Sequence, residues 1–121
     1  MQGVPEAQYA GNLAVILEEL LTRLPADRIV CIATPDYTVT PAGADYGDPL
    51  QQHDGIVTNN GVMARLAAAR GIAFVDIFDL SRAAATDRAL VAEDGLHPSA
   101  VQYARWVERI EPVVRELLAT P

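Results

Sequence analysis

The sequence predicts an α/β domain built around a parallel sheet. Apolar residues recur at helical spacing in three segments, and two short, mostly apolar runs lie between those segments. The resulting order of helix, strand, helix, strand, helix is typical of domains with a parallel sheet. A chain of 121 residues, of which 50% are hydrophobic, is long enough for one such domain with a buried core. We therefore expect residues 1–121 to form a single domain.

The first helix and the first strand are separated by a proline. The helix is predicted to begin near Pro5 and to stop at Pro25. The segment "RIVCIAT" (28–34) is apolar on both faces, which fits a strand of a covered parallel sheet. Pro35 ends this strand, and residues 35–52 form a long aperiodic loop of the kind that usually serves or braces a site. The inward face of the helix is predicted to consist of Tyr9, Leu13, Ile16, Leu17, Leu20 and Leu24.

The remaining elements follow the same logic. Asp54 is predicted to cap a second helix that ends near Arg70, before Gly71. The segment "IAFVDIF" (72–78) is the second strand, and a short irregular helix over about 79–87 follows it. The inward residues of the second helix are predicted to be Ile56, Met63, Leu66 and Ala67. The last helix starts at an S-x-x-Q capping box, Ser99 with Gln102, and turns inward Val107, Ile110, Val114 and Leu117.

Two strands do not complete a sheet of this type. A strand that is buried on both faces, such as Ile29–Ala33, normally lies between two other strands, and this chain offers only one partner. We expect "AFVD" (73–76) to pair with one edge of Ile29–Ala33, and the other edge to be open or paired with another chain. Because an unpaired apolar edge promotes association, the chain alone is expected to be poorly soluble or oligomeric.

Composition excludes several classes of partner. The net charge is −7, and the nine basic residues are all arginine and are spread singly, so nucleic acid is not an expected partner. A single cysteine provides neither a disulfide framework nor a metal-binding spacing. The start "MQGVPEAQYAGN" lacks the pattern of a signal peptide, and no apolar run has membrane-spanning length. Cellular location stays open, with the cytoplasm as the default expectation.

The segment "DGLHPS" (94–99) offers a carboxylate and an imidazole at short spacing. Gly95 permits the tight turn that would bring Asp94 and His97 together. We expect the carboxylate to be buried, since a buried carboxylate bonded to one ring nitrogen fixes the tautomer and leaves the other nitrogen free to accept a proton. The alternative is a loop in which both side chains merely satisfy backbone groups before a helix, because short D-x-x-H matches are common.

Four segments of the chain resemble the SGNH, or GDSL-type, serine hydrolases. The segment "DGLHPSAVQYARWVERIEPVV" (94–114) is similar to the last block of that family, in which the catalytic Asp and His precede the C-terminal helix. The segments "IATPDYTVTPAG" (32–43) and "GIAFVDIFDLSR" (71–82) resemble a strand with its loop and the final strand. The segment "YAGNLAVILEELL" (9–21) resembles the helix after the third block. The resemblance covers practically the whole chain.

The resemblance implies a fold, a mechanism and a missing part. The implied fold is the three-layer α/β/α, flavodoxin-like fold of SGNH hydrolases, here incomplete, with the last two parallel strands present and the N-terminal strands absent. The implied activity is hydrolysis of a small carboxylic ester through an acyl-serine, with His97 as general base and acid, Asp94 as the orienting carboxylate, and no metal or organic cofactor. The nucleophilic Ser of the G-D-S block and the Gly and Asn of the oxyanion hole have no counterpart in this sequence.

Other polar residues have simpler interpretations. Ser99 is better explained as a helix cap than as a nucleophile, and Ser81 as a solvated or capping hydroxyl. Cys31 lies within a strand and is expected to be a small core residue. The long loop also carries Asp36 and Tyr37, which are expected either to line the cleft or to brace the loop. Trp106 is expected to be partly buried on the last helix.

Two competing hypotheses remain open at this point. Against the ester hydrolase, the first alternative is a non-catalytic remnant, or a module that completes its sheet with another chain. The second alternative is a small metal-dependent hydrolase using His53, Asp54, Asp94 and His97.

Overall fold

The computed structural model describes residues 4–121. No helix in this range is long and apolar enough to cross a membrane. The predicted order of elements is confirmed, and the fold is a mixed, mostly helical α/β arrangement. Its helices and strands are α1 (Glu6–Leu21), β1 (Val30–Ile32), α2 (Pro49–Ala68), β2 (Ala73–Val75), α3 (Phe78–Arg82) and α4 (Ala100–Ala119).

The two strands form a parallel pair, as predicted. The register places Val30 opposite Ala73 and Ile32 opposite Val75. Within residues 4–121 no other strand joins the sheet, and residues 35–52 contribute none. One edge of β1 is therefore unpaired by the described chain, which agrees with an incomplete α/β fold.

Helices cover both faces of the sheet. Successive residues of a strand point to opposite sides, so the apolar side chains on each side are buried by a different set of helices. On one face, Ile29 and Cys31 pack with Leu17 of α1 and Ala67 of α2. On the other face, the cluster consists of Val75, Ile77 and Trp106, with Val30, Ile110 and Val113 packed against it. Each fully buried aliphatic side chain in such clusters contributes roughly 1.5–3 kcal/mol. The three-layer α/β/α arrangement is confirmed, and Trp106 lies deeper in the core than the predicted partial burial.

The second helix begins earlier than predicted. Asp48, not Asp54, is the N-cap, and its side chain accepts a hydrogen bond from Gln51 N at 2.8 Å. Pro49 then occupies the first helical position, where proline needs no backbone donor. This Asp-Pro start overrides the weaker signal at Asp54, which lies inside α2. The earlier start places His53 in the second turn of α2, which packs against the loop after β1.

Three residues predicted to face inward are exposed instead. The exposed fractions are 56% for Ile16, 43% for Leu24 and 56% for Val107. The prediction for Ile16 was wrong because a different apolar stripe of α1 packs against the core. That stripe consists of Leu13, Leu17, Leu20 and Leu21. Leu24 lies past the end of α1, and Val107 adjoins the buried Trp106 on a different face of α4.

Candidate active site

The loop before α4 is closed by short-range hydrogen bonds. Val91 and Pro98 form an antiparallel bridge across its base. Ala92 N donates to His97 O at 2.8 Å. Gly95 turns the chain with a φ of +77°, a conformation that glycine adopts without steric cost. The loop is thus a defined structure that leads directly into the last helix.

Within this loop, Asp94 and His97 are hydrogen-bonded neighbours, as predicted. His97 Nδ1 lies 2.5 Å from Asp94 Oδ2. The other carboxylate oxygen accepts the backbone N–H groups of Leu96 at 2.9 Å and of His97 at 3.0 Å. The Leu96 N–H, followed by the His97 ring and the His97 N–H, lowers the pKa of Asp94 from 3.8 to about 2. The carboxylate is therefore ionised at neutral pH and aimed at the imidazole.

The pair is more exposed than the sequence argument assumed. The carboxylate was predicted to be buried, whereas the exposed side-chain fractions are 50% for Asp94 and 69% for His97. A proton on His97 Nδ1 bonds to Asp94, so the remaining lone pair is on Nε2. Among the described residues, nothing hydrogen-bonds to Nε2. The geometry leaves this nitrogen able to take a proton from an approaching group.

The loop lies beside the carboxyl end of the sheet. Ala42 N, in the segment that follows β1, donates to Gly95 O at 3.0 Å. Leu96 and Pro98, on either side of His97, line a small cavity together with Asp36, which follows β1. Ligands of open α/β sheets usually bind at this edge.

Neither serine of the chain is positioned to react. Ser99 Oγ donates to Ala89 O at 2.6 Å and accepts Gln102 N at 3.3 Å. The predicted capping box is only half formed, because the Gln102 side chain donates to Leu90 O instead. Ser81 is buried rather than solvated, and its Oγ donates to Phe78 O at 2.6 Å.

A second Asp–His pair is formed by residues that are distant in sequence. His53 Nδ1 lies 2.8 Å from Asp36 Oδ2, and Arg82 Nη1 lies 3.1 Å from the same ring nitrogen. The Asp36 side chain is 0% exposed. Burial raises the pKa of Asp36, but hydrogen bonds from Thr38 and His53 outweigh burial and hold that pKa below its usual value. No sequence pattern indicates this cluster, because His53 and Arg82 lie 17 and 46 positions from Asp36.

Metal binding receives no support from the side-chain arrangement. Across residues 4–121, no three His, Cys, Asp or Glu side chains are grouped so that they could hold a metal ion. The residues of the metal-dependent hypothesis, His53, Asp54, Asp94 and His97, therefore do not form a metal site in the described chain. Cys31 is buried, as expected, and burial raises the pKa of its thiol, which is the opposite of activation.

Fold and loop together define an α/β protein with an Asp–His pair beside the carboxyl end of its strands. The model of the family described as GDSL-like Lipase/Acylhydrolase matches residues 1–105. The chain therefore belongs to this family and is related to hydrolases. No curated protein and no solved structure gives a significant match.

Proposed function

We propose that this chain carries the Asp–His part of a Ser-His-Asp triad that hydrolyses carboxylic esters through an acyl-serine intermediate. His97 Nε2 takes the proton of the nucleophile and later returns it to the leaving alcohol. Asp94 holds the ring with Nδ1 protonated and stabilises the imidazolium that forms. The hydrogen bond between Asp94 Oδ2 and His97 Nδ1, with Nε2 unpartnered among the described residues, carries this proposal.

The nucleophile is proposed to come from polypeptide outside this sequence. Ser81 and Ser99 both use their hydroxyls in backbone hydrogen bonds, so neither is available to His97. The G-D-S serine and the Gly and Asn donors of the family have no counterpart here. Residues 1–121 would then correspond to the C-terminal portion of the family's domain. The unpaired edge of β1 is where the absent N-terminal strands of the family's sheet would join.

This proposal predicts that the chain alone does not hydrolyse esters appreciably. Without the G-D-S serine, His97 has only water to deprotonate. Without preorganised donors the oxyanion is not stabilised, and each missing donor costs about 10²–10³ in rate.

A second function is favoured by the sheet itself. The unpaired edge of β1, with Ile32 40% exposed, suits a module that pairs with a strand of another chain and performs no catalysis. The exposed dyad would then be a structural remnant of the family's site.

The two proposals are separated by the coding sequence and a covalent probe. An in-frame upstream segment that encodes G-D-S supports the hydrolase. When this segment is joined to residues 1–121, a fluorophosphonate probe should label its serine stoichiometrically, and p-nitrophenyl acetate should be turned over. Residues 1–121 alone should show neither reaction.

Each contrary result has a defined meaning. Stoichiometric labelling of Ser81 or Ser99 in the isolated chain, with turnover abolished by His97→Ala, would show that the nucleophile has been misplaced. The absence of an upstream G-D-S segment, together with saturable strand pairing to a partner chain, would favour the interaction module.

A further inference from the structure

Arg82 differs from the other arginines of this protein in its ionic partner. Seven other arginines form ion pairs with carboxylates at the surface, whereas Arg88 donates to backbone carbonyls. The carboxylate facing Arg82 belongs to Asp36, whose side chain is 0% exposed. A buried carboxylate has a fixed position and is not screened by water, so it holds one side of the guanidinium far better than a surface partner does.

All the polar contacts of Arg82 involve one of its nitrogens. Nη1 lies 3.5 Å from Asp36 Oδ2, 3.1 Å from His53 Nδ1 and 3.4 Å from His53 Nε2. Within residues 4–121, Nε and Nη2 make no hydrogen bond, and the side chain is 46% exposed. One side of the guanidinium is therefore anchored, and its remaining donors are available to a ligand.

The anchor itself is held firmly. Asp36 Oδ1 accepts both the N–H and the hydroxyl of Thr38, at 3.1 and 2.5 Å. Asp36 N donates to Ser81 Oγ at 2.8 Å, which ties the loop after β1 to the helix that carries Arg82. The guanidinium carbon also lies 6.0 Å from the centre of the Phe78 ring, within cation–π range. The cation is thus preorganised before any ligand arrives.

We propose that Asp36, His53 and Arg82 form a binding site for a small oxyanion, a carboxylate or a phosphate group, with Arg82 as the anchoring cation. The planar fork of a guanidinium matches two oxygens of such a group and binds them with two parallel hydrogen bonds. The half-buried His53 ring, 24% exposed, forms the neighbouring wall of the site. Asp36 does not contact the ligand but positions Arg82 and His53.

The site adjoins the Asp94–His97 loop without depending on its chemistry. Asp36 and Ser81 line a cavity of about 30 Å³ together with Leu96 and Pro98. Asp36 therefore connects the proposed site with the loop that carries His97. Binding of the anion requires no nucleophile, so it can be measured in residues 1–121 whether or not the hydrolase proposal holds.

The test is an NMR titration of labelled residues 1–121 with sodium phosphate and, separately, with sodium acetate, at ionic strength held constant with sodium chloride. The expected result is a saturable shift of the Arg82 Nε–H and His53 ring resonances with at least one of the two anions. The two titrations distinguish a phosphate site from a carboxylate site. Arg82→Gln should weaken the binding by about tenfold or more, because a charge-assisted pair is lost. Arg105→Gln, which removes a surface arginine paired with the exposed Asp87, should leave the affinity unchanged.

Arg82→Lys keeps the charge, removes the fork and provides a second variant should Arg82→Gln not fold. Its affinity should also be below that of the wild type. Linear, non-saturating shifts in the wild-type protein, equal shifts at every arginine, or full affinity in both Arg82 variants would each overturn the proposal.

Discussion

The protein contains two Asp–His pairs with the same connection, His Nδ1 to a carboxylate Oδ2, in opposite environments. Asp94 and His97 are three positions apart in one loop and are 50% and 69% exposed. Asp36 and His53 come from the loop after β1 and from α2, and are 0% and 24% exposed. The comparison shows that an Asp–His contact by itself does not define a catalytic pair, because accessibility of the second ring nitrogen decides what the pair can do.

Neighbouring charges widen the difference between the pairs. Arg82 lies against both ring nitrogens of His53, so that imidazole faces a permanent cation. No cation lies against the His97 ring within residues 4–121, and its Nε2 is open to an incoming group. The buried pair is therefore suited to positioning and anion binding, and the exposed pair to proton transfer.

The largest expected difference concerns activity. In the protein extended with its G-D-S segment, His97→Ala should lower kcat for p-nitrophenyl acetate by about 10²–10⁴, the usual contribution of a general base. His53→Gln should retain at least about a tenth of the activity, because it removes no proton-transfer step. Steady-state kinetics of both variants provides the check, and equal losses would abolish the distinction between the two pairs.

The next largest effect is on stability, where the buried pair is expected to contribute more than the exposed pair. Asp36→Ala should lower the free energy of unfolding by about 2–4 kcal/mol, because it removes a fully buried carboxylate and leaves the partly buried donors of Thr38 unpaired and Arg82 without its anchor. Asp94→Ala should cost much less, because its partners can bond to water instead. Urea unfolding of the two variants decides the matter, and a larger loss in Asp94→Ala would contradict the assigned roles.

The smallest effect concerns the titration of Asp94. Its pKa of about 2 lies below the ordinary 3.8, so its ionised form favours the folded loop above that ordinary value, and this contribution is lost as pH falls from 3.8 towards about 2. His97→Ala should raise the pKa of Asp94 but leave it below 3.8, because the Leu96 N–H bond is the largest cause and persists. Carboxyl-carbon NMR titration would measure the pKa of Asp94 in both proteins. The same pKa in the wild type and in His97→Ala would show that the His97 ring does not lower it.

The features that could be predicted from the sequence are those that depend on one segment of the chain. The Asp94–His97 contact depends on two intervening residues and on Gly95, so spacing and turn chemistry were sufficient to find it. The open edge of β1 followed from counting apolar strands. Both features require knowledge of only one segment at a time.

Features that depend on tertiary placement were not predicted. Asp36 was assigned only to lining or bracing, and His53 was considered with Asp54 as a metal ligand, because no pattern links positions 36, 53 and 82. The exposure of Asp94 was also missed, since spacing reveals a contact but not what covers it. The start of α2 was misplaced because Asp48 and Pro49 lie inside what looked like an aperiodic loop.

The orientation of His97 by Asp94, which leaves Nε2 without a proton, is central to the proposed function. It is tested most directly by ring-nitrogen NMR of residues 1–121 at about two pH units above the usual histidine pKa of roughly 6.5. The expected result is a His97 ring protonated at Nδ1 and unprotonated at Nε2, with the Nε2–H tautomer increasing in Asp94→Asn. A wild-type His97 that is protonated mainly at Nε2, or a tautomer unaffected by Asp94→Asn, would contradict the claim.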